Sequence, residues 1–267
     1  MKSNRFLVLA AIAAVFSFSS CQKEDDAIAT QSEVSESTLT QIKNLGFNNK
    51  NVQRVEGGYL VEGDIVLTED NLKEAGQVQA LRVGEAEQYR TTRLVTGLPR
   101  TITVSISSTL PTSYVAALDE AIARYNAQGL RITFRRVSSG ANIALTKAPS
   151  GASYLASAGF PTSGGNPYNS VVVNSTYIGT NPNRSYLATI LAHEIGHCIG
   201  FRHTDYMDRS YSCGGGYTNE GASTVGAIQI PGTPASADPN SWMLACIGTG
   251  ASRPFNANDR TALNYIY

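Results

Sequence analysis

Residues 193–203 read His-Glu-Ile-Gly-His-Cys-Ile-Gly-Phe-Arg-His, a pattern of the form HExxHxxGxxH. On a helix, positions four apart lie about 40° apart around the axis and about 6 Å along it, so His193 and His197 point the same way and can share one ion. Gly200 ends the helix and permits a sharp, left-handed turn that swings His203 back as a third ligand. The chain has three histidines, and all three fall in this window. Three imidazoles leave the fourth tetrahedral position of a zinc ion to water, the open arrangement of a catalytic rather than a structural site. Zinc lowers the pKa of that water to about 7, and Glu194 is the expected general base for it. A bare HExxH arises by chance on many helices; Gly200, His203 and the lack of histidine elsewhere decide for zinc.

The rest of the chain bounds what surrounds this stretch. At 267 residues with 42% hydrophobic content it can bury one good-sized core and a small accessory unit. Its 21 basic and 21 acidic residues cancel, so no bulk charge points to nucleic acid or an acidic membrane surface. A monomer is expected.

The first residues suggest export. Lys2 and Arg5 precede an apolar run from Phe6 to Phe18, and small Ser19 and Ser20 precede Cys21. That run is short for a spanning helix, which needs about 20 apolar residues, and fits a signal-peptide core. A cysteine after small residues resembles a bacterial lipobox, with Phe18 where leucine is usual, and implies lipidation of Cys21; the alternative is an ordinary signal peptide cut nearby. Gln22-Lys23-Glu24-Asp25-Asp26 resembles a sorting signal for the outer face of the outer membrane. The expectation is therefore a surface-exposed outer-membrane lipoprotein, or else a secreted protein, that touches the membrane through its N-terminal lipid only. Cys198, Cys213 and Cys246 then remain in an oxidising compartment, where one internal disulfide can form among three pairings. Cys213 and Cys246 lie in loop-like sequence and Cys198 in the motif helix, which favours Cys213 with Cys246 and leaves Cys198 as a small buried residue.

Four regions follow: a signal peptide over 1–20, a lipidated polar tether over 21–38, a small N-terminal region over 39–92, and a main domain over 93–267. In 39–92, Ile42, Leu45 and Phe47 open a helix or turn, and 59–67 reads as a strand interrupted by Gly63-Asp64. Arg82, Arg90 and Arg93 mark an exposed connection. Beyond it, the alternation of Ile102, Val104 and Ile106 gives a strand. A helix introduced by Pro111-Thr112-Ser113 follows, with Tyr114, Leu118, Ala121, Ile122 and Tyr125 on one face, and then strands over 130–137, 141–145 and 169–174. Ser185 is a candidate cap for a helix over 186–199, which would turn Leu187, Ile190, Leu191 and Ile195 to the core. Residues 204–241 read as loops that build the specificity pockets, and Asn256 or Asn258 caps a terminal helix.

The long motif together with Met243, in Ser241-Trp242-Met243-Leu244-Ala245, resembles the metzincin metallopeptidases, whose Met-turn lies beneath the metal. His193-Glu194-Ile195-Gly196-His197 and the closing Phe255-Asn256-Ala257-Asn258-Asp259-Arg260 are similar to the bacterial HEIGH-type metallopeptidases. The resemblance spans about 94–267. It implies an α+β catalytic domain, with a twisted mixed sheet and two long helices above a zinc cleft and a small C-terminal subdomain ending in a helix. It also implies that Ser153 to Phe160 is an edge strand onto which an extended peptide adds.

Some features resemble astacins: Gly200-Phe201-Arg202-His203 with Asp208-Arg209, and Val61-Glu62-Gly63-Asp64-Ile65 beside their FxGD propeptide segment. This implies that Asp64 is a latency ligand and 39–92 a pro-segment; a common Gly-Asp turn explains the same residues. Thr204 and Ala245 depart from astacins, which have glutamate and a zinc-reaching tyrosine there, and sequence does not assign that tyrosine's task to Tyr206, Tyr211 or another. The leading expectation is an extracellular zinc endopeptidase acting on an extended peptide or protein. The competing one is a non-catalytic zinc-containing surface lipoprotein that binds peptide or glycoprotein, which would need the histidines but not Glu194.

Overall fold

A computed structural model describes residues 34–73, 88–220, 226–234 and 236–267. The signal peptide, Cys21 and Arg82 lie outside the described residues. An eight-stranded mixed sheet runs through the chain. Its main-domain part is β5 (Arg100–Ile106), β6 (Ile132–Arg136), β7 (Ile143–Lys147), β8 (Ala156–Ala158) and β9 (Ser170–Val173). The order is β1-β2-β3-β8-β9-β7-β5-β6, where β1 (Gln53–Val55), β2 (Gly58–Val61) and β3 (Ile65–Leu67) come from the N-terminal region. Strands β6, β5, β7 and β9 are parallel, and β8 is antiparallel to β9.

Helices α1 (Glu36–Asn44) and α2 (Glu69–Lys73) flank the first three strands; α3 (Ser113–Asn126) and α5 (Arg184–Cys198) pack on each other over the sheet. The short α4 (Ser175–Ile178) and α6 (Ser210–Cys213) and the terminal α7 (Ala257–Ile266) complete the described helices, and β4 (Tyr89–Arg90) pairs with β10 (Ile228–Gln229). This is the mixed-sheet, two-helix architecture that the resemblance implies.

The expected face of α3 is buried: Tyr114, Leu118, Ala121, Ile122 and Tyr125 all enter the main core. Helix α5 goes further than its expected stripe, for every residue from Tyr186 to Cys198 is buried. Two donors fix its middle from opposite neighbours, since Tyr125 Oη (2.7 Å) and Trp242 Nε1 (3.3 Å) both donate to the Ala192 carbonyl. Its cap is Asn183 rather than Ser185. The Asn183 side chain accepts from Tyr186 N–H at 3.0 Å, and Ser185 lies inside the first turn, where its carbonyl accepts from Thr189. At α7, Asn256 and Asp259 form a reciprocal capping box.

The N-terminal region has its own small core, in which Ile42, Leu45, Phe47, Tyr59, Val61, Ile65, Leu67 and Leu72 meet Phe160 of the main domain. One expected boundary shifts. Helix α1 begins inside the expected tether, with Ser35 capping Thr38 N–H and Thr38 buried, because the first turn is held by that cap. Just before the expected division at 92/93 the chain lies against the main domain, and Thr92 itself is exposed. Gln88, Tyr89 and Thr91 are fully buried; Thr91 N–H donates to Gly200 O (2.8 Å) and Arg202 N–H to Tyr89 O (2.9 Å). Residues 88–91 thus brace the turn that follows α5.

Candidate metal centre

Helix α5 carries His193 and His197 one turn apart, and the chain reverses at Gly200 to return His203 to the same place. Gly200 has φ +109°, and a Cβ there would lie 2.6 Å from the Arg93 carbonyl, so both backbone angle and space require glycine. Gly196 faces the Met-turn: a Cβ would meet Met243 Sδ at 2.6 Å. Glycine between the two helical histidines is what lets Met243 pack directly beneath them.

Each imidazole is oriented from behind by an acceptor at Nδ1. For His193 it is Trp242 O, and for His197 Phe201 O, each at 2.9 Å. For His203 it is the Glu220 carboxylate, both of whose oxygens lie 3.0 Å away. With Nδ1 donating, the Nε2 lone pairs are left for a metal, which is the tautomer a ligating histidine needs. His197 Nε2 and His203 Nε2 are 3.2 Å apart. One ligand atom each from Asp64, His193, His197 and His203 lie within 4.8 Å of one another. Three imidazoles and one carboxylate, all buried, match the donor preference and ligand number of zinc.

Asp64 stands on the turn between β2 and β3, where Glu62 (φ +56°) and Gly63 (φ +94°) take successive left-handed conformations. Its Oδ2 lies 3.2 Å from His203 Nε2 and 3.8 Å from His193 Nε2. Burial alone would raise its pKa, but His203, His193 and Arg209 together hold it well below the usual carboxylate range. His203 shows the complement. Burial pushes it down, yet the Asp64 and Glu220 carboxylates carry it well above its ordinary value, so the cluster calls for positive charge. His197 is held well below the imidazole range by burial and by the other two histidines.

Glu194 is 3% exposed, and its Oε2 has no hydrogen-bond partner among the described residues. Burial and then the nearby Asp64 push its pKa well above the usual range. A buried carboxylate oxygen left without a donor is costly in a stable fold.

Asp64 does not act alone. The Asp64 carbonyl accepts from Ala158 N–H at 2.9 Å, and Ile65 pairs with Ala158 as β3 runs parallel to β8. The strand expected to offer a free edge is therefore covered on that side by the chain's own N-terminal region. Next door, Glu62 Oε2 lies 3.6 Å from Arg202 Nη2, and the Arg202 guanidinium sits over Phe47 at 4.9 Å and Tyr206 at 5.6 Å. Arg209 Nη2 would lie 3.0 Å from a Cβ on Gly63, and the φ of +94° at Gly63 is what favours glycine in the turn carrying Asp64.

The structure brings together Asp64, His193, Glu194, His197, His203 and Met243. It also forms the Cys213–Cys246 disulfide, with Cα atoms 5.0 Å apart, and leaves Cys198 free and buried. Thr204 N–H donates to Met243 O, and Ala245 N–H to Asp205 Oδ1, so both positions that depart from astacins serve the loop backbone. Tyr211 is about half exposed and its hydroxyl donates to Ala237 O, while Tyr206 packs edge-on against Tyr89. Neither borders the cavity beside the histidines, whereas Tyr154 does. Sequence reasoning missed Glu220, 17 residues beyond the histidine it orients, in a stretch with no period. The only signal for it was a lone acid in a Gly-rich loop.

A mixed sheet backed by two packed helices, with an HExxHxxGxxH helix above a methionine turn, defines a metallopeptidase. A family model described as dual-action HEIGH metallo-peptidase matches residues 59–267, and the chain belongs to that family. The match takes in β2, Asp64 and β3 as well as the main domain. Among solved structures, two of myroilysin are similar. One has 19% identity and a TM-score of 0.33, covering 42% of this chain and 48% of that one. The other has 16% identity and a TM-score of 0.43, covering 65% of this chain and 82% of that one. No curated protein matches.

Proposed function

We propose that the chain is a zinc endopeptidase working outside the cell, kept latent by residues 39–92 until Asp64 is withdrawn. The observation that carries this reading is the Asp64 carboxylate, 3.2 Å from His203 Nε2, set among three imidazoles with Glu194 beside them. A zinc ion held by His193, His197 and His203 supplies Lewis acidity and a more acidic water. Glu194 Oε2, unpartnered and buried, accepts the proton of the attacking water and later delivers it to the leaving amine. Strand β8 binds the extended substrate through its backbone once β3 leaves, since β8 N–H and C=O groups are what β3 now occupies. The Nδ1 acceptors keep the histidines aimed throughout. Lipidation at Cys21 and a place on the outer-membrane surface belong to the same proposal, with a polypeptide substrate and no further membrane contact. Metal analysis with cleavage of a peptide library, with and without chelator, on the full chain and on Asp64→Ala, tests it. Equimolar zinc and chelator-sensitive hydrolysis that rises in Asp64→Ala are expected. Stable peptide binding without any turnover would favour the non-catalytic surface protein instead.

A further inference from the structure

A cavity of about 270 Å³ opens beside His193 and Glu194, on the side reached by the turn of α5 that precedes the metal ligands. Its walls are Thr189, Ile190, Trp242, Leu244 and Ile247, and Arg253 sits among them. The whole lining comes from α5, from β8 with the residues just before it, from residues 242–253, from Gly63 and Asp64, and from Arg209. The 204–241 loops expected to shape specificity contribute little here, because the Cys213–Cys246 bridge and the Asp205 contact to Ala245 hold the 242–247 loop against the cavity.

Arg253 is fixed at both ends. Its backbone N–H donates to Thr189 Oγ1 at 3.0 Å and its Nη1 to Cys246 O at 2.8 Å. No carboxylate among the described residues lies within ion-pair distance of it. The two acids nearest in effect, Asp205 and Asp259, are committed elsewhere. Asp205 accepts from Ala245 N–H and Ser212 Oγ, and Asp259 from Gln88, Trp242 and Asn256. A half-buried guanidinium held at Nη1 by Cys246 O, beside the apolar walls of Ile190, Trp242, Leu244 and Ile247, is a receptor for a carboxylate. Arg209 lines the same cavity. The acids that line it are Asp64 and Glu194, and Asp64 departs with the N-terminal region.

Resting on the peptidase reading above, we infer that this cavity is the specificity pocket for a residue flanking the scissile bond and that Arg253 selects aspartate or glutamate there. The apolar walls take the methylenes and Arg253 the carboxylate. A charge-assisted pair of this kind, set against the neutral amide, gives a preference of about 10- to 100-fold.

The test uses the full-length, zinc-loaded chain carrying Asp64→Ala, with Arg253 as in the wild type or substituted. Peptides free of Lys and Arg vary the two residues on each side of one bond through Glu, Gln, Asp, Asn and Leu. The chain with Arg253 in place should favour the acid over its amide at one flanking position. Arg253→Gln should bring that ratio to near unity, and Arg253→Lys should keep a reduced preference. A merely structural role would lower all rates together. An acid-to-amide ratio near unity with Arg253 in place, or one unchanged in Arg253→Gln, overturns the inference and leaves the peptidase reading standing. If no peptide is hydrolysed, the peptidase reading fails, and fluorescence anisotropy of the same Glu and Gln peptides on the same protein decides the pocket by the same ratios.

Discussion

Replacing Glu220 by glutamine isolates the contribution of the carboxylate behind His203. Both Glu220 oxygens lie 3.0 Å from His203 Nδ1, and neither side chain is exposed. Glutamine keeps the size and can still accept from Nδ1–H, so what is lost is the negative charge. His193 and His197 have backbone carbonyls in that place, which makes His203 the one ligand of the three whose basicity is raised by a carboxylate. Loss of such a partner costs about 10- to 100-fold in metal affinity, or ~1.4–2.7 kcal/mol. The assay is competition for zinc between the full-length chain and a chelator of known affinity, wild type against Glu220→Gln. Far-ultraviolet circular dichroism of both proteins checks that the fold is retained. Unchanged zinc affinity in a folded variant would refute the reasoning that His203 is set by Glu220.

Other outcomes follow from single contacts. Asp259 titrates near about 6 in the folded chain, raised mainly by burial, against about 3.9 unfolded. The folded state then holds that proton more tightly, so its contribution is present below about pH 4 and is lost, by at most ~3 kcal/mol, as pH rises through 6. Burial thus outweighs the N–H donors on its oxygens. Denaturant titrations from pH 4 to 7 should show that fall in wild type and less of it in Asp259→Asn; parallel curves would exclude it. Cys213→Ser opens a loop of sequence separation 33, which should lower stability by ~3–4 kcal/mol on chain-entropy grounds; a change under ~1 kcal/mol would contradict that origin. Gly196→Ala drives a methyl against Met243 Sδ and should cost ~1–3 kcal/mol. A double-mutant cycle with Met243→Ala should show coupling above ~0.5 kcal/mol, and additivity would rule out the contact.

The clustering of the three histidines was legible because helical geometry makes it local. His193 and His197 are one turn apart, and Gly200 announces the turn that His203 needs. Met243 was legible through family order, and the α3 face through its period. The pairing of Cys213 with Cys246 followed from placing Cys198 in a helix. What escaped the sequence is long-range. Glu220 and Arg253 reach the site from irregular segments with no period to read, and their roles appear only when His203 and Thr189 are beside them. Strand β8 looks like an edge in the main domain alone, and nothing local says that β3 will lie parallel to it. Residues 88–91 are polar enough to read as a linker, yet Gln88 is buried because Ser241 and Asp259 receive its amide. Asn183 and Ser185 are both good caps, and which one starts the helix depends on where the chain enters after α4.

The account turns on Glu194 acting beside a zinc ion that it does not itself bind. Bound zinc and peptide hydrolysis, measured together on the full chain with Asp64→Ala alone and with Glu194→Ala added, test that most directly. Equimolar zinc in both proteins, with hydrolysis lost only in Glu194→Ala, is the predicted result; equal hydrolysis in the two would contradict it.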